Sequence, residues 1–305
     1  MRPGTVLPNP FGETNDRVQT QPRGAGGTLN PDLVEQAGPV DPEVAVLSIQ
    51  NADGRPLAML ANYGAHFAGG FRFGDVSADY WGYFSTCIGR LLQAEEQDPP
   101  FVGIMSTGTN GDVTTADYSK PPIPRRPPYA AMREIGEHLA GEAFRVYQGI
   151  THRDHIRLVM LERELEVGIR RPDAKRLAWA RDVWTKAHDK KGTYSRSEIY
   201  AREALFLHDS PPTIRLKLQV LRIGDLGIVA ILSEVFAETG LAIKQHSPLK
   251  PTFTIGFANG YYGYLPTARQ QELGGYETWP ARSVSLEIAA EAKIRATVLE
   301  MLREI

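Results

Sequence analysis

Cysteine is nearly absent: the 305 residues contain one, Cys87. A single thiol cannot close an internal disulfide or build a cysteine metal cluster, and its place in the apolar helical pattern of residues 83–92 makes it a packing residue. Charge of one sign is also lacking. Lys and Arg number 34 against 36 Asp and Glu, a net −2, with no basic block, so neither nucleic acid nor an anionic membrane is an expected partner. No apolar run approaches the ~20 residues that span a bilayer, so no transmembrane segment is expected. The opening Met1-Arg-Pro-Gly-Thr-Val-Leu-Pro has no apolar core of a secretory leader. As written, the chain reads as cytoplasmic, or as secreted or periplasmic if a leader precedes it. Internal repeats and low-complexity tracts are missing too.

What is present is ordinary for a globular protein: 42% hydrophobic and 23% charged residues, at a length that buries a sizeable core. Residues 1–42 are rich in Pro, Gly and Asn and carry no period, so they read as an irregular segment, either a tail or a stretch draped over a partner surface. From 43 onward strands and helices are interleaved. Strands are expected over 43–49 and 57–62 (a hairpin), 101–105, 156–167, 213–223, 226–232 and 252–257. Helices are expected over 77–92, 129–147, 173–190, 195–207, 238–245 and 285–303, with a proline-rich excursion at 121–128 and an aromatic, Gly-rich loop at 258–276. The pattern implies an α/β fold, a mixed β-sheet core flanked by helices, as one catalytic-type domain over 43–305 with a decorated edge.

In open α/β sheets ligands sit at the carboxyl ends of strands, and three of these strands run into residues of catalytic type. His66 follows the strand at 57–62; Asp112, Thr114 and Thr115 follow the strand at 101–105; Glu234 follows the strand at 226–232. The aromatic loop adds Tyr261, Tyr262, Tyr264 and Tyr276. An imidazole, a carboxylate and oxygen donors from separate strand ends are the ligand types of a catalytic zinc with one open position. No H-E-x-x-H signature raises that reading. Each residue has a plainer role as well. His66 suits a hydrogen-bonded loop, Glu234 the first turn of a helix, Gly111-Asp112 and Thr114 a turn, and the tyrosines loop packing. The remaining histidines, at 138, 152, 155, 188, 208 and 246, read as surface groups.

Several motifs taken together resemble the neutral/alkaline non-lysosomal ceramidase family, zinc-dependent amidases that cleave N-acylsphingosines into a fatty acid and a sphingoid base. They are Asn62-Tyr63-Gly64-Ala65-His66-Phe67, Ser77-Ala-Asp-Tyr-Trp-Gly-Tyr83, Thr109-Asn-Gly-Asp-Val-Thr114, Ser233-Glu-Val-Phe236, Asn259-Gly-Tyr-Tyr-Gly-Tyr-Leu-Pro-Thr267 and Gly274-Gly-Tyr-Glu277. They stand in the family's order over roughly residues 40–305. The resemblance implies Zn2+ as cofactor, held by His66, Glu234 and Tyr264. It also implies Tyr276 facing the amide carbonyl and Thr114 in place of an active-site serine after Gly111-Asp112-Val113, which leaves Thr114, Tyr276 and Asp112 as the catalytic candidates. Two departures follow. Residues 1–42 hold no histidine where the family supplies a further zinc ligand from a His-x-His segment, and the family's C-terminal immunoglobulin-like domain has no counterpart before residue 305. Three readings stay open: a zinc amidase acting on a lipid amide, a hydrolase of small polar amides or esters, and a non-catalytic binding or assembly relative.

Overall fold

A computed structural model describes residues 1–19, 23–24, 27–122, 124 and 126–305. Parts of the irregular N-terminal segment and of the proline-rich excursion lie outside the described residues. What is described of the first 42 residues packs on the chain itself. It folds as four very short strands, β1 (Arg2–Pro3), β2 (Leu7–Pro8), β3 (Thr14–Asp16) and β4 (Leu33–Glu35), paired β1 with β4 and β2 with β3. It lies against the chain's own C-terminal third. Arg17 N–H donates to Leu273 O (2.6 Å), Trp279 Nε1–H to buried Asp16 (2.7 Å), and Gln270 Nε2 to Ala37 O (3.0 Å). Contacts with residues more than 200 positions away leave no period in the sequence, which is why the segment reads as irregular.

The hairpin of β5 (Ala45–Gln50) and β6 (Pro56–Tyr63) is antiparallel, and β7 (Val102–Thr107) pairs with β6 in parallel, reached through helix α1 (Asp79–Leu91). Strand β7 runs two residues past its expected end because the parallel register continues from Ala58↔Val102 to Tyr63↔Thr107. Helix α2 (Ala130–Tyr147) packs with α1 over this sheet, burying Met59, Ala61, Tyr80, Phe84, Ile88 and Ala140.

The second sheet has the order β12-β10-β9-β8, from β8 (Leu158–Gly168), β9 (Thr213–Ile223), β10 (Leu226–Ala230) and β12 (Thr252–Ile255). Period-two alternation places Leu216, Leu218 and Val220 of β9 in the core, while Arg215 and Lys217 pair with Glu164 and Glu162 of β8 on the exposed face. Strand β10 is buried along its whole length, as its unbroken apolar run requires. Two-residue strands β11 (Glu234–Val235) and β13 (Tyr264–Leu265) pair in parallel beside it. A charged helical hairpin, α3 (Ala174–Ala187) and α4 (Arg196–Asp209), joins β8 to β9. Helices α5 (Ala237–His246), α6 (Ala268–Leu273) and α7 (Ala290–Glu304) complete the chain.

This is the expected α/β fold, with mixed sheets flanked by helices and, among the described residues, no closed barrel. Boundaries near the C-terminus differ most from the sequence reading. The loop at 258–276 contains β13 and α6, and the last helix starts five residues late. Ser283 O accepts from Tyr264 N–H and Ser285 O from Arg170 N–H (2.8 Å each), so this stretch spends its backbone groups on tertiary bonds before the helix begins. Among the described residues no helix is long and apolar enough to cross a membrane.

Candidate active site

Because β6 and β7 are parallel neighbours, their loops leave the same sheet edge, and backbone bonds tie them together. His66 N–H donates to Val113 O (2.9 Å), and Gly111 N–H donates to Val235 O (2.8 Å), which brings the β7 loop onto β11. Gly111 is required there, since a Cβ at that position would lie 2.4 Å from Glu234 O. The register of β11 with β13 sets Glu234 directly beside Tyr264. Four chain segments thus meet on one cavity of about 1430 Å³, lined by His66, Asp112, Thr114, Glu234, Tyr261, Tyr264 and Tyr276.

His66 Nε2 stands 3.7 Å from Glu234 Oε2. The separation is too long for a hydrogen bond. Burial also lowers the His66 pKa and raises that of Glu234, so both groups are pushed toward their neutral forms rather than into an ion pair. Hydrogen bonds from Tyr261 and Tyr264 oppose the rise at Glu234, and the charge of Glu277 adds to it. Tyr261 OH donates to Glu234 Oε1 at 2.8 Å. The Tyr264 and Tyr276 hydroxyls are in contact, with rings edge to face at 5.4 Å. Burial, the Tyr276 contact and the Glu234 carboxylate all hold the Tyr264 phenol well above its ordinary pKa, and burial raises Tyr276 as well.

Asp112 takes a different part. Its Oδ1 accepts from Ala237 N–H (2.8 Å) at the start of α5, yet burial drives its pKa up to about 7, helped by the charges of Glu238 and Glu277 and opposed by the Ala237 bond. Thr114 is exposed on the cavity wall, where its hydroxyl accepts a long bond (3.4 Å) from Ala116 N–H.

A search of solved structures finds a crystal structure of neutral ceramidase from Pseudomonas aeruginosa, with a TM-score of 0.61 and 16% identity over 90% of this chain and 48% of that one. A ceramidase complexed with C2 matches at a TM-score of 0.60 and 16% identity, over 90% and 50% of the two chains. The chain shares its fold with neutral ceramidase. It spans about half the length of the ceramidase chains it matches. No protein-family model and no curated protein matches it.

Of the residues singled out in the sequence, His66 stands 3.7 Å from Glu234 and its ring 6.4 Å from that of Tyr264, Tyr264 touches Tyr276, and Thr114 and Asp112 line the same cavity. Three residues given no specific role in the sequence reading take part as well. Tyr261, one of the loop tyrosines, is the hydrogen-bond donor to Glu234. Asn110 is buried with Nδ2 3.2 Å from His66 Nδ1, and its Oδ1 has no partner among the described residues. Exchanging the amide oxygen and nitrogen would offer Oδ1 to His66 Nδ1–H and leave Nε2 free as an acceptor, at the loss of a weak 3.4 Å bond to Ala65 O. Glu277 acts on Glu234, Asp112 and both tyrosines through its charge. The signals available for these residues were position only: Asn110 precedes Gly111-Asp112, and Glu277 follows Gly274-Gly-Tyr276. Among the described residues no three His, Cys, Asp or Glu side chains are gathered for a metal. The donors at hand are one imidazole, one carboxylate and a phenol.

Proposed function

We propose that this chain is a zinc-dependent amide hydrolase of the ceramidase kind, cleaving an N-acyl amino alcohol such as an N-acylsphingosine into a fatty acid and an amine. The observation that supports it most is the convergence of His66, Glu234, Tyr264 and Tyr276 on one cavity of a fold shared with neutral ceramidases. The donor chemistry fits the metal. Two atoms each about 2.1 Å from one zinc at the tetrahedral angle stand about 3.4 Å apart, close to the 3.7 Å between His66 Nε2 and Glu234 Oε2. A neutral imidazole is the ligating form, and the orphaned Asn110 oxygen suits a ring that donates through Nδ1.

His66 and Glu234 would hold the ion, with Tyr264 as third ligand once its phenol loses a proton. The bound zinc supplies a Lewis acid and a water acidified toward a pKa of ~7. The chain's own groups would do the rest. Tyr276, donating through its hydroxyl, would meet the charge that develops on the amide oxygen. Thr114, in the cavity lining, would orient the scissile amide. Asp112 would fix the loop against α5 and hold a proton near neutrality. Phe67, Ile199, Phe236 and Phe257 on the cavity wall offer apolar surface to an acyl chain, which favours a lipid amide over a small polar one.

The test is metal analysis of the purified protein, together with hydrolysis of an N-acylsphingosine and of a short soluble N-acyl amino alcohol before chelation, after chelation and after zinc is restored. About one zinc per chain and chelator-sensitive cleavage of the long-chain substrate are expected. Glu234→Gln should lose the metal and at least ~10²-fold in rate. Metal-free protein, or cleavage indifferent to chelator, would overturn the reading. Preference for the short substrate would move it to small polar amides.

A further inference from the structure

A second, smaller cavity of about 320 Å³ lies behind the site, between the N-terminal segment and the start of the α3 hairpin. Its wall includes two guanidiniums. Arg176 stacks over the Phe11 ring, 3.6 Å from the centroid, and its Nη2 reaches Glu13 at 3.3 Å, while its Nη1 is buried with no partner among the described residues. Arg170 makes no ion pair among the described residues. Its Nη1 donates only to the neutral oxygens of Gln271 (3.0 Å) and Thr278 (2.7 Å). Burial and the charge of Arg176 lower the Arg170 pKa to about 10.

The acids on the same wall do not settle this charge. Glu13 already takes Arg176 Nη2 and Asn9 Nδ2. Asp16 is occupied by Trp279 Nε1–H, and burial raises its pKa. Glu272 has no ion pair with either arginine among the described residues. A buried guanidinium N–H without an acceptor, beside a second cation without a counter-ion, is an expensive arrangement unless something supplies oxygens. Arginine's planar fork matches carboxylate and phosphate groups in particular.

We propose that this cavity binds a small molecule through an oxyanion, a phosphate or carboxylate group held between Arg170 and Arg176. Asp16, Gly274, Thr278 and Trp279 line both cavities. Arg170 grips the carbonyl of Thr278, in the same 3-10 turn as Tyr276. An anion drawing on Arg170 therefore pulls on the turn that carries Tyr276. The binding itself owes nothing to the amidase reading.

The experiment is calorimetric titration of the whole chain with sodium phosphate and, separately, sodium acetate, at fixed ionic strength in chloride. Saturable binding of at least one, with Kd of about 1 mM or tighter, is expected. Phosphate alone would point to phosphorylated ligands, and acetate alone to carboxylates. Arg176→Gln should weaken binding about tenfold or more, and Glu234→Gln, in the other cavity, should leave it unchanged. Should Arg176→Gln fail to fold by circular dichroism, Arg176→Lys keeps the charge, removes the fork and is expected to weaken binding too. No saturable heat with either anion, affinity unchanged in the folded Arg176 variant, or affinity lost in Glu234→Gln would each overturn the assignment.

Discussion

Replacing Asp112 with asparagine should stabilise the protein at neutral pH and do almost nothing near pH 4. Asp112 sits where two effects oppose. The N-terminus of α5 and the Ala237 N–H favour its anion, a contribution of about 1 kcal/mol and at most ~2. Burial disfavours the anion and wins, since its pKa rises from the ordinary 3.8 to about 7. At 1.36 kcal/mol per pH unit that gap corresponds to about 4 kcal/mol as an upper bound. An acid that ionises less readily in the folded chain makes the folded state bind more protons between those two pKa values. Stability is therefore full below about pH 4 and falls as pH rises toward 7. Asparagine keeps an oxygen acceptor for Ala237 N–H and never ionises. Urea unfolding of both proteins at pH 4, 5.5, 7 and 8 measures the difference directly. It should grow from near zero to about 2–4 kcal/mol in favour of the variant. A difference that stays flat across this range, or that favours the native protein at pH 8, would refute the burial argument.

Tyr261→Phe removes a lowering influence on Glu234, so the Glu234 titration, followed by NMR of its side-chain carbons, should move to higher pH, with a loss of about 1–2 kcal/mol in stability. Gly263→Ala should destabilise by more than ~2 kcal/mol in thermal unfolding, because the residue has φ +75° and a Cβ would fall 2.0 Å from Ser283 O. Gly141→Ala, on the exposed face of α2 with nothing within 4 Å of the new methyl, should instead stabilise by about 0.5–1 kcal/mol. Opposite signs for the same chemical change would separate backbone geometry from helix propensity.

How much was legible depended on whether a residue's partner lay nearby in the sequence. Strands such as β9 and β10 announce themselves through alternation or an unbroken apolar run, and the residues just beyond them, His66 and Glu234, were visible as strand-end groups for that reason. Tyr264 and Tyr276 could be named only through the family resemblance, because nothing in the loop at 258–276 says which tyrosine turns inward. The structure adds the cause: β13 pairs with β11 and sets Tyr264 beside Glu234. The specific roles of Asn110, Tyr261 and the Arg170–Arg176 pair are not written locally, since they come from side chains 44 and 27 positions away in the first two cases and from an unmatched charge in the third. The N-terminal segment was the least readable part. It has no period because it forms almost no regular structure, and what orders it is the surface it covers.

Among the bonds that clasp that covering is the one between Asp16 and Trp279, groups 263 residues apart in the chain. Closing a loop of that size forfeits about 5 kcal/mol of chain entropy, which the packing of the rest of the chain has to offset. The wall that the two cavities share, with Asp16, Gly274, Thr278 and Trp279, lies outside both large sheets. Its opening would expose both at once while the strands on which His66 and Glu234 are mounted stay in register. Faster hydrogen exchange at the amides of 14–17 and 274–279 than in the strands is the outcome expected of that opening.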